Sequence, residues 1–71
     1  MSTYQERIRE TLARNGFIGV DPRHIEAYMR VECPTLDGLS GKRFDALAID
    51  CVADVKADPQ TAERLAQMDG I

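Results

Sequence analysis

Apolar residues recur along this chain at three- and four-residue intervals in four separate blocks, and nowhere alternate with polar ones as a strand requires. The pattern predicts an all-α fold, a compact bundle of four helices over about 3-15, 22-33, 41-57 and 59-69. In the first block, Thr3 and Glu6 have the spacing of a capping box, and Tyr4, Ile8 and Leu12 form a narrow stripe. Glu10 and Arg14 are expected to pair at i,i+4 on the exposed side, and Asn15-Gly16 ends the helix because both residues tolerate the left-handed conformation. Phe17 to Val20 is an apolar connector expected to fold over the core.

Asp21-Pro22 restarts a helix: the aspartate accepts from first-turn amides, and proline at N1 lacks only a donor that had no partner. Ile25, Tyr28 and Met29 share a face, and Pro34 disfavours the helical conformation at Cys33. Within "CPTLDGLSG", Leu36 is expected to tuck inward, Asp37-Gly38 to turn at an exposed tip, and Ser40 to cap the third helix. Leu39 and Phe44 then stand in staple positions. Phe44, Leu47, Ala48, Cys51, Val52 and Val55 follow the spacing of a core-facing helix without a break, which predicts helix 3 at the centre. Asp58-Pro59 repeats the aspartate-proline device and opens a fourth helix with a small apolar face, Ala62, Leu65 and Ala66, before Gly70.

No linker or low-complexity tract divides the 71 residues, so one domain over 1-71 is expected, and a chain this short buries only about 60% of its unfolded surface. The core is thin and invites a staple. Cys33 and Cys51 have no CxxC partner and His24 is the single histidine, so no metal site is expected. The opening residues lack the charged and apolar regions of a signal peptide, and the apolar run Ala46 to Ile49 is too short to span a membrane. A cytoplasmic location with free thiols is the expectation, and self-association as a homodimer is the remaining staple.

Charge is distributed unevenly around a net of −3: residues 1–30 hold five arginines against four acids, and residues 31–71 hold four bases against eight acids. Nucleic-acid binders concentrate cations, because phosphate contacts supply most of their affinity. This chain does the reverse in its second half. A helix-turn-helix made of helices 2 and 3 is the alternative reading, with Arg23, Arg30, Lys42 and Arg43 as its cations. Its turn is too long, and Glu26, Asp45, Asp50 and Asp54 stand among those cations.

Catalytic machinery is not expected. His24 and Glu26 point to different sides of a helix, Cys51 lies in the apolar stripe, and Cys33 sits at a helix C-terminus, where the dipole disfavours a thiolate. Ser2-Thr3, Glu6-Arg7-Ile8 and Ser40 resemble features of acyl carrier proteins, in which a serine at a helix start receives phosphopantetheine. Here the serine lies in Leu39-Ser40-Gly41 instead of Asp-Ser-Leu, and a full helix stands where carriers have mostly a loop. No cofactor is therefore expected.

What remains is an acidic strip. Asp50, Asp54 and Asp58 fall at i, i+4 and i+8, an arrangement that costs a few tenths of a kcal/mol per like-charged pair. One reading is a solvated helix face. The other is a docking ridge for lysines and arginines of a partner protein, with Asp37 at its margin and Tyr28, Phe17 or Ile18 as apolar anchors. The stretches "GFIGVDPRHIEAYMR", "TLDGLSGKRFDA" and "ADPQTAERLA" resemble small helical proteins of proteobacterial phages and mobile elements over most of residues 16–66. The resemblance implies a context in which such proteins inhibit host defence by stoichiometric binding, anti-CRISPR proteins among them. It assigns no residue a role. The expected activity is a non-catalytic protein-protein interaction module directed at a host protein with a basic surface.

Overall fold

The computed structural model describes the backbone of residues 3–69 and the side chains of residues 4–68 other than Asp37. Four helices follow in order: α1 Thr3–Arg14, α2 Pro22–Glu32, α3 Gly41–Ala57 and α4 Pro59–Asp69, with a short 3-10 turn at Leu36–Gly38 before α3. No strand occurs among the described residues. Thr3's half of the capping box and the expected helix-ending Gly70 lie outside the described side chains and residues.

Each boundary has a local cause. Gly16 takes φ +76°, its N–H donates to the Ala13 carbonyl, and the Phe17 N–H reaches back to the Leu12 carbonyl at 2.9 Å. These two bonds are the Schellman closure of α1. The connector turns again at Gly19, φ +81°, and Asp21 then accepts from the Arg23 N–H at 2.9 Å to start α2. Helix α2 stops at Glu32, one residue short of the expected bound at 33, with Cys33, kept out of the helical region by Pro34, as its C-cap donating to Met29.

Asp58 joins α3 to α4 as a single residue. Its N–H closes α3 on the Asp54 carbonyl at 3.0 Å. Its carboxylate opens α4 by accepting from the Thr61 N–H at 3.1 Å and the Thr61 hydroxyl at 2.6 Å. Ser40 departs from expectation: it stands at the N-cap of α3 and its carbonyl accepts from Phe44, but its side chain makes no capping bond. The entry to α3 is held instead by the partly buried Leu39 and the buried Leu36 and Phe44.

One core cluster draws on every helix: Ile8 and Leu12 from α1, Ile25 and Met29 from α2, Phe44, Ala48, Cys51, Val52 and Val55 from α3, and Ala62 from α4, with Leu36 from the loop. Helix α3 contributes the most core side chains, as its spacing implied. The central position is shared, however, because α2 packs most closely on both α3 and α4. Small buried residues on α4, Ala62 and Ala66, suit that approach.

Polar contacts complete the α1 seams. Thr11, buried within α1, sets its hydroxyl 3.0 Å from both the Arg7 carbonyl and an Asp45 carboxylate oxygen, so it can donate to either. Arg7 and Arg14 approach the same Asp45 at 3.7 and 4.0 Å; Arg14 therefore turns toward α3, not toward Glu10. Glu26 is only 8% exposed. It accepts from Arg30 at 3.0 Å and from Gln5 at 3.1 Å, fastening α2 to α1. The rings follow suit: Tyr4 stacks on Phe44 with centroids 5.6 Å apart, Arg7 lies 4.6 Å from the Phe44 centroid, and Arg30 lies 5.7 Å from that of Tyr4.

Candidate functional site

The acidic strip of α3 runs beside α2. Asp50, Asp54 and Asp58 are all exposed, one helical turn apart. The Tyr28 hydroxyl is held above its ordinary range first by burial and then by the carboxylates of Asp58 and Asp54, so the half-buried tyrosine of α2 borders the strip. The Cys51 thiol beneath is pushed up to about 12, mainly by burial and then by Glu32, Asp54 and Asp50. A thiol so disposed stays protonated and serves as a small apolar core group.

Glu32 thereby enters the site. It stands one turn beyond Tyr28 on α2, exposed, and its charge acts on the same Cys51 thiol as those of Asp54 and Asp50. Sequence reasoning missed it because the pairing of the two helices is a tertiary fact; the i,i+4 spacing from Tyr28 was the only available signal. The surface is thus built from two helices: Tyr28 and Glu32 on α2, and Asp50, Asp54 and Asp58 on α3.

Its members are not equivalent. Both Asp58 oxygens are engaged by Thr61, and these hydrogen bonds, aided by Arg64, hold its carboxyl below the usual carboxylate range. Asp58 is first a structural cap. Among the described residues no side-chain hydrogen bond or ion pair gives Asp50 or Asp54 such an internal duty, and both stand exposed with Glu32.

Phe17 and Ile18 do not belong to this surface. Lys56 stands two residues from both Asp54 and Asp58, about 200° around the helix, and its ammonium lies 5.4 Å from the Phe17 ring centroid. The connector therefore covers the other flank of α3, the same flank on which Asp45 meets α1. Ile18 is 91% exposed there, at the tip of the turn. Of the expected anchors, only Tyr28 is beside the acids. The Asp37 side chain lies outside the described residues; its backbone belongs to the 3-10 turn before α3.

The cations proposed for a DNA reader are dispersed. Arg30 is committed to Glu26 and Tyr4, and Arg23 to Asp21 at 3.9 Å. Lys42 and Arg43 remain exposed at the start of α3. Among the described residues no group of three or more histidine, cysteine or acidic side chains is arranged to hold a metal ion, and no helix is long and apolar enough to cross a membrane. A shallow polar dent on α4, lined by Gln60, Glu63, Arg64 and Gln67, offers no apolar enclosure of the kind that holds a small ligand. Comparison of the chain with protein-family models, with curated proteins and with solved structures finds no match.

Proposed function

We propose that this chain is a non-catalytic binding module that docks its α2–α3 acidic surface on a basic patch of another protein. The observation that carries the reading is the asymmetry of charge use. Arg7 and Arg30 of the first half are spent within the fold on Asp45, Glu26 and aromatic rings, whereas Asp50, Asp54 and Glu32 are left facing outward together beside Tyr28. Aligned like charges oppose helix stability, and a complementary partner turns that local penalty into orientation and a faster encounter. The resemblance to small phage and mobile-element proteins supports a host protein as that partner and stoichiometric inhibition of a defence system, such as CRISPR-Cas, as the outcome.

The DNA-binding alternative keeps Lys42 and Arg43 exposed on α3 but is weakened on α2, where Arg30 is engaged by Glu26 and Arg23 by Asp21. The carrier alternative retains an exposed Ser40 at a helix start and lacks the flanking residues of an attachment site.

The test is affinity capture of a host protein by the tagged chain, followed by titration of that protein with the wild type and with Asp50→Asn/Asp54→Asn/Glu32→Gln. Asp58 is left intact so that α4 keeps its cap. The triple variant is expected to bind at least about tenfold more weakly, the equivalent of 1.4 kcal/mol, and wild-type binding to weaken with added salt. Equal affinity of the folded variant would remove the acidic surface from the account.

A further inference from the structure

We draw no further inference here: the strongest candidate, the amino end of α3, where Ser40 makes no side-chain cap beside Gly41, Lys42, Arg43 and the Arg7 guanidinium, is a helix terminus with no second feature in the structure that points to a ligand.

Discussion

Asp58 illustrates how one side chain answers two demands. It belongs by position to an acidic strip, yet its carboxylate holds the first turn of α4 through Thr61. Its folded pKa is lowered, so its contribution to stability is fully present above the unfolded carboxylate value, about 3.9, and is lost as pH falls through the folded value. Thermal melts followed by circular dichroism between about pH 7 and pH 2 should show this against Asp58→Asn, which keeps a capping acceptor but does not ionise. The wild type is expected to melt higher at neutral pH, with the gap closing in acid; a gap independent of pH would exclude the linkage. Glu26 is the opposite case, a charge drawn inward. Glu26→Ala removes its bonds to Arg30 and Gln5 and should cost about 1.5–3 kcal/mol in urea unfolding. A loss below about 0.5 kcal/mol would mean that the α1–α2 fastening lies mainly in the rings.

At the level of elements, the two aspartate-proline junctions work alike and differ in what they join. Asp21 follows a connector with two glycine turns, whereas Asp58 alone separates α3 from α4. The second junction leaves α4 little freedom, and α4 then gains most of its packing from α2, its neighbour two elements back, with the small residues Ala62 and Ala66 buried on its inner face. Close approach requires those small side chains. Ala62→Leu is expected to cost about 1–3 kcal/mol by overpacking, even though leucine is a good helix former and adds apolar surface. A rise in the urea midpoint would show slack at this seam. In a domain whose core supplies roughly 3–5 kcal/mol, the expected loss is enough to populate the unfolded chain.

For the whole molecule, charge segregates by flank. Asp45 and Lys56 face α1 and its connector, while Asp50, Asp54 and Glu32 face outward along the α2–α3 seam. If that outward set exists for a partner, relieving it should help the isolated chain. Asp50→Asn/Asp54→Asn removes like-charged i,i+4 neighbours and is expected to raise stability by a few tenths of a kcal/mol while weakening partner binding. Lower stability in the variant would assign the carboxylates a structural partner instead. The exposed Ile18, with Val31 and Met68 at 60% and 65% exposure, leaves apolar surface that the fold does not cover. Single exposed apolar residues are ordinary on protein surfaces and carry no separate argument.

Helix count, helix boundaries to within a residue and nearly every core position were determined by the sequence itself. The causes are local: the spacing of Phe44, Ala48, Cys51, Val52 and Val55, the glycine after α1, and the two aspartate-proline caps all act within a few residues. Tertiary structure decided what each polar residue is for. Glu26 and Asp45 read as surface charges from their neighbours, but helix packing brings arginines and a threonine to them, and a satisfied charge can be buried. Packing likewise placed Tyr28 and Glu32 beside the strip and sent Phe17 to the far flank. The sequence determined that Asp50 and Asp54 share a side of α3. Only the fold decided which neighbours meet that side, because helix pairing depends on contacts between residues far apart in the chain.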